Sequence, residues 1–216
     1  MRRLLLVCGI LSTLLYLLMN VFIPMQWDGY SRSSQVISEL SAIGAPTRGI
    51  WVPLGIIYTL LIAAFGAGVW AVGHGNRKLR VAGILLMFSG VFGLFWPPMH
   101  LRGEPFSLTD ALHIAWSAVT LLIMLTVMGL AAAALGKRFR FYTIATVVLW
   151  LVFGTLTFLD SPEVASGDPT PWIGVWERIN IGAYMFWLVL FALALLRREA
   201  TAVQRSRFAS ASVRPA

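Results

Sequence analysis

Three polar stripes within otherwise apolar segments hold the side chains that could do chemistry. Asp110, His113, Ser117 and Thr120 recur at spacings of three and four, as do Thr13, Tyr16 and Asn20, and Glu177, Asn180 and Tyr184. Such spacing puts each set on one helix face. A carboxylate, an imidazole and several hydroxyls converging on a shared interior could bind a polar headgroup or a small solute, or act on one as acid and base. The competing reading is structural, with hydroxyls and amides bonded across helices and no ligand involved.

His113 has the widest chemical range. With Asp110 on the same face and His100 in the preceding segment, it could supply two histidines and a carboxylate to zinc, leaving one position for water. However, Ser107-x-x-Asp110 also matches a capping box, in which Asp110 only ties a helix start. No metal site is therefore assigned; His100, Asp110 and His113 are its candidates. A haem pair needs two histidines facing each other at one depth, and His74 and His113 belong to opposite ends of their segments. No cofactor is implied.

Glu177 and Arg178 are adjacent, so on a helix they point about 100° apart and seek separate partners. The sequence offers Glu39 or another loop acid to Arg178, and Arg48 or His113 to Glu177. Alternatively both charges snorkel to water.

The elements that must position these residues are apolar segments of membrane-spanning length. They run roughly 4–23, 51–72, 81–96, 112–135, 141–159 and 179–196. Hydrophobic content of 58%, charged content of 12% and a mean hydropathy of +0.79 exclude an ordinary soluble domain. The segments between spans alternate in charge. One set holds 13 of the 17 basic residues with Glu199 as its single acid; the other holds 8 of the 9 acids with Arg32, Arg48, Arg102 and Arg178. Basic loops stay cytoplasmic on insertion, so both termini are predicted inside and the three long polar loops outside. The net charge of +8 is thereby split by the membrane and indicates no nucleic-acid partner. The first apolar run is too long for a signal h-region and lacks a small-x-small cleavage site, so it is read as an uncleaved helix. The single cysteine, Cys8, allows no internal disulfide.

Small residues at Ala63, Ala64, Gly66, Gly68, Gly90, Gly93 and 131–134 would let helices approach closely. In the first outer loop, Val36, Ile37, Leu40 and Ile43 share a helical face, which predicts a short amphipathic helix lying along the outer surface, stopped by Gly44 and Pro46. The third outer loop, 160–172, reads as irregular. The tail, 197–216, rich in arginine, serine and alanine, reads as disordered and held near the inner leaflet by charge.

Ser38-Glu39-Leu40-Ser41-Ala42-Ile43-Gly44-Ala45-Pro46, His113, and Gly174-Val175-Trp176-Glu177-Arg178-Ile179 together resemble the family called domain of unknown function 998, six-helix prokaryotic membrane proteins. The first motif is also similar to that of DRAM-like membrane proteins. The resemblance implies a six-helix fold and singles out Glu39, Gly44, Pro46, His113, Glu177 and Arg178. It implies no reaction, since none is established for the family.

The sequence thus predicts an all-α integral membrane protein. It consists of a six-helix transmembrane domain over 1–196, in a cell (inner) membrane, with a polar pocket facing outward. The binding residues are Glu39, His113, Glu177, Arg178, Asn20, Asn180 and Tyr184. The expected ligand is a lipid headgroup or small solute, in transport, sensing or membrane organisation. Membrane lipids and a second copy of the chain are the partners considered. The alternative is a membrane-embedded enzyme, with or without a metal, acting on lipid or a lipid-linked substrate at the outer leaflet, with His113 as base or metal ligand and Glu177 or Asp110 assisting. No HExxH, Gly-x-Ser-x-Gly or phosphate-cradling glycine loop supports that alternative.

Overall fold

The computed structural model describes residues 1–211. Its helices are α1 (Arg2–Phe22), α2 (Arg48–Val72), α3 (Arg77–Gly93), α4 (Leu108–Leu135), α5 (Lys137–Leu159), α6 (Ser161–Ser166) and α7 (Ile173–Ala211). Each long helix packs on its predecessor in the chain, and α7 closes back onto α1, so six helices form a ring. Five segments are long and apolar enough to cross a membrane: Arg2–Gln26, Arg48–Val72, Leu108–Leu135, Lys137–Ser166 and Ile173–Thr201. The chain is a multi-pass membrane protein. The remaining ring member, α3, has 17 residues, hence about 25 Å of rise against a hydrocarbon core of about 30 Å. Turn hydrogen bonds carry its chain onward to Trp96.

The exterior is what a lipid solvent favours. Leu14, Leu17, Leu60, Ile84, Leu122 and Val152 are exposed, while Gly9, Ser12, Thr13 and Ala82 are buried. Since lipid is as apolar as leucine, helix association depends on close packing and on hydrogen bonds between helices. The α2–α3 contact uses the first device. A Cβ added to Gly66 would lie 2.5 Å from the Met87 backbone nitrogen, one added to Gly83 2.5 Å from Trp70 N, and one added to Gly90 2.6 Å from Thr59 O. Gly68 packs against Leu5 of α1 in the same way. The α5–α7 contact uses the second device: Trp187 Nε1 donates to Thr143 Oγ1 at 2.9 Å, with Trp187 fully buried.

Local chemistry fixes the helix ends. The Asn76 side chain accepts from Leu79 N at 3.3 Å to start α3. Gly136, at φ +95°, turns α4 into α5, a backbone conformation favouring glycine.

Three expectations are corrected. The outer amphipathic helix is instead a five-residue 3₁₀ turn, Ile37–Ser41, whose Ile37, Glu39 and Leu40 are buried in the bundle's end. Val36 and Ala42 are both extended (ψ 155° and 156°) and Gly44 sits at φ +89°, so the backbone leaves the helical region on either side of one short turn. The tail from Arg197 continues α7 as far as Ala211, because arginine, glutamate, alanine and glutamine extend an existing helix without a new nucleus; residues 212–216 lie outside the described residues. The third outer loop contains α6, with proline in its first turn and Gly167 in the left-handed conformation after its end.

Candidate functional site

The loops 23–47, 94–107 and 160–172 meet at one end of the ring, where the 3₁₀ turn Ile37–Ser41 forms a roof. Glu39, at the centre of that turn, has no exposed surface. Its Oε2 accepts from Val36 N at 2.9 Å, which caps the turn. Arg102 then grips the carboxylate with two nitrogens: Nε to Oε1 at 2.9 Å and Nη2 to Oε2 at 3.1 Å. A planar guanidinium is suited to such a fork. Arg102 also donates to Ser34 O at 2.9 Å and to Thr170 Oγ1 at 3.2 Å. Thr170 Oγ1 in turn donates to Ser34 O at 2.9 Å. One ion pair, its carboxylate fully buried and its guanidinium partly so, therefore fastens all three loops together.

Arg178 fastens the same roof from α7. Its Nη1 donates to Arg32 O at 2.7 Å, Gln35 O at 3.1 Å and Gly174 O at 2.9 Å, and its Nη2 donates to Tyr30 Oη at 2.8 Å. Tyr30 Oη donates to Val36 O at 2.9 Å. Burial pushes the Tyr30 phenol up to about 12, with the adjacent Arg178 cation opposing that rise. The neighbouring Glu177 points elsewhere, as adjacent helix positions must, and accepts from Ile37 N at the start of the roof turn. At the other end of the turn, Arg48 Nη1 donates to Ser41 O, while Thr47 Oγ1 donates to Leu40 O at 2.7 Å.

Beneath the roof lies a cavity of about 440 Å³. Ser38, Ser41, Arg48, Glu177 and Asn180 line its polar part; Tyr16, Trp51, Tyr58, Trp96 and Trp150 line its aromatic walls. Ser117 and Thr120 face it from α4. Tyr16 and Tyr58 hold each other with ring centroids 5.0 Å apart, and Trp51 meets Tyr16 edge-on at 5.9 Å. Asn180 Nδ2 donates to the Trp150 carbonyl, bridging α7 to α5. Gly55 also lines the cavity, and a Cβ added there would meet nothing within 4 Å. An interior with a few polar groups at one end of mostly apolar walls suits an amphipathic guest.

The predicted residues divide into cavity and support. Glu177 and Asn180 line the cavity. Glu39 and Arg178 hold the roof above it, and Glu39 pairs with Arg102, not with Arg178 as anticipated. Glu177 and Arg48 share the cavity without an ion pair among the described residues. Asn20 donates to Tyr16 O of its own helix at 2.9 Å. Tyr184 is buried between Trp150 (6.2 Å) and Trp187 (6.0 Å).

The residues proposed for zinc separate. His113 Nδ1 lies 2.8 Å from Pro97 O and 3.2 Å from Trp96 Nε1; the side chain braces the segment that follows α3 and is not among the residues lining the cavity. Asp110 accepts from Ser107 N (2.9 Å), Ser107 Oγ (2.7 Å) and His100 N (2.7 Å), and meets His100 Nδ1 at 2.9 Å. It thus forms the capping box and ties the preceding loop to α4. Among the described residues, no group of three His, Cys, Asp or Glu side chains is placed to hold a metal ion.

Sequence reasoning missed Arg102, Thr170 and Tyr58 as site residues, and named Arg48 only as a partner for Glu177. Arg102, Thr170 and Arg48 sit in loops or at a helix start, without periodicity to link them, and Tyr58 reads as one more apolar residue in its span. Arg102 did carry a signal: it is one of only four cations in the acidic set of loops.

Neither the curated proteins nor the solved structures gave a match, and the likeness to DRAM-like proteins found no support. Residues 10–194 match the family described as protein of unknown function, DUF998. That stretch takes in part of α1, all of α2 to α6 and the first half of α7, with the roof turn and Glu39, the Arg102 loop and the Glu177-Arg178 pair, so the chain belongs to the DUF998 family of multi-pass membrane proteins.

Proposed function

We propose that this protein binds an amphipathic molecule in its central cavity, with the polar part under the 3₁₀ roof and the apolar part among the aromatic walls. The observation that carries the reading is a cavity of about 440 Å³ inside a membrane bundle, with an acid and a base at one end and rings of tyrosine and tryptophan below. Exposed apolar side chains, among them Val52, Ile56, Leu94 and Leu121, also line it, so its wall is continuous with surface that faces lipid. A guest entering from the bilayer fits such a wall better than a water-soluble solute does. The role is binding in the service of transport, sensing or membrane organisation. His113, the base of the enzymatic alternative, is packed behind Trp96 and away from the cavity, which favours binding over catalysis.

In our reading α3 completes a six-span bundle in the cell membrane. Both termini are cytoplasmic and the roof lies outside, a reading supported by the division of Lys and Arg among the loops. Reporter fusions after Gly136 and after Gly103 should report opposite sides of the membrane.

The cavity reading is tested by tryptophan quenching. Trp51, Trp96 and Trp150 line the cavity, so a short-chain lipid with brominated tails should quench them saturably in the detergent-purified protein. Gly55→Leu, at a lining position where an added Cβ meets nothing within 4 Å, should abolish the saturable component. Quenching that rises linearly and is unchanged by Gly55→Leu would place the lipid only on the outer surface.

A further inference from the structure

The roof turn sets two opposite charges apart over the cavity. Glu177 takes the amide of Ile37 at the start of the turn, and Arg48 gives one guanidinium nitrogen to the carbonyl of Ser41 at its end. At the 3₁₀ rise of about 2 Å per residue these anchor points stand about 8 Å apart. Glu177 and Arg48 form no ion pair with each other or with any other described residue. No described residue bonds the second carboxylate oxygen of Glu177 or the remaining guanidinium nitrogens of Arg48. Both side chains line the same cavity, with Ser38 between them along the turn. Unlike charges in an apolar site gain by meeting; here each is tied to one end of the same turn, and both border the cavity.

We propose that the guest is a zwitterion, its ammonium group bound by Glu177 and its phosphate or carboxylate bound by Arg48, with the headgroup lying along the roof turn. The inference rests on the cavity reading above and names its ligand class. A headgroup carrying both charges satisfies both side chains at once, whereas an anionic headgroup leaves the Glu177 carboxylate facing a like charge, and a neutral one leaves both without a partner. Ser38 offers a hydroxyl between the charges to a headgroup oxygen. The roof is itself anchored from behind by Glu39–Arg102 and by Arg178, so the spacing of the two charges is fixed before the guest arrives.

The test compares short-chain phosphatidylethanolamine, short-chain phosphatidylglycerol of equal chain length, and free phosphoethanolamine, each titrated onto the full-length protein in detergent by tryptophan fluorescence. The zwitterionic lipid should bind at least roughly tenfold tighter than the anionic one, the value of one charge-assisted hydrogen bond. Glu177→Gln should erase that preference, and Arg48→Gln should weaken both lipids. Glu177→Asp and Arg48→Lys, with charge retained, should keep the order of affinities. Binding of free phosphoethanolamine as tight as that of the lipid would support the zwitterion and assign it to a soluble source. Equal affinity for the two lipids in the wild-type protein would overturn the zwitterion assignment and leave the cavity reading standing. Absence of saturable binding for all three probes would overturn both. The wild-type comparison decides the matter even if a charge variant fails to fold.

Discussion

Gly66 and Gly55 lie on the same helix and meet opposite surroundings. At Gly66 a single added carbon would collide with the backbone of α3, while at Gly55 it would meet nothing within 4 Å. The half of α2 near the basic link is packed backbone to backbone; the half near the acidic loops borders open space. The bundle therefore relies on different physics at its two ends. At the first, small residues allow dispersion contacts at close range. At the second, helix–helix contact gives way to a cavity, and the loops are held by ion pairs and hydrogen bonds to backbone carbonyls. A site that must admit a guest cannot be stabilised by filling it, and the buried Glu39–Arg102 pair is the substitute.

The strongest way to break this comparison is to remove that substitute. Arg102→Ala leaves the fully buried Glu39 carboxylate with only Val36 N and Gln35 Nε2 as donors among the described residues. Loss of one partner of a buried pair costs about 3–5 kcal/mol, and a melt of the purified protein followed by circular dichroism should show a correspondingly early transition. The double variant Glu39→Leu/Arg102→Met should recover part of the loss, because it removes the stranded charge along with its partner. Recovery should stay incomplete, since Glu39 also caps the roof turn through Val36 N. If Arg102→Ala melted like the wild type, the roof would be held by the hydrogen bonds of Arg178, Glu177, Thr47 and Arg48 without the ion pair, and the two ends would differ less than their packing indicates.

At the packed end the expected effect is smaller. Gly66→Leu forces a side chain against Met87 N and Gly83 O, which are backbone atoms and cannot swing aside. Overpacking of this kind costs about 1–3 kcal/mol. It should lower the melting temperature without altering lipid affinity in whatever fraction stays folded. A change in affinity at constant stability would mean that the two ends communicate through α2.

How much of this was legible follows the same division. The packed end is regular, so its period and its small residues announced the helices, and Gly66, Gly68 and Gly90 were recognised as contact points. The polar stripes were legible only in part: Tyr16, Ser117, Thr120, Glu177 and Asn180 line the cavity, whereas Thr13, Asn20, Asp110, His113 and Tyr184 do not. The roof was not legible. Val36, Ile37, Leu40 and Ile43 fit a helical period, yet their segment is a 3₁₀ turn, because Glu39 draws its carboxylate inward to cap Val36 and meet Arg102. A partner 63 residues away leaves no local trace. Likewise, His113 and Asp110 on one face were a fair pair to connect, but Asp110 is saturated by its own cap and the His100 loop.

The smallest expected effect sharpens the comparison most. Gly55→Leu replaces a glycine inside a helix by a good helix former, which is worth about 0.5–1 kcal/mol in backbone entropy. Its side chain enters open space, so no packing loss offsets the gain. The variant should melt slightly above the wild type while losing saturable lipid binding, because the new side chain occupies part of the cavity. Gly66→Leu should do the reverse, losing stability and keeping affinity. Opposite signs from the same substitution on one helix would separate volume kept for a guest from volume that packing has consumed. A destabilised Gly55→Leu would instead mean that the space beside Gly55 closes in the membrane, and the cavity would have to be sought elsewhere.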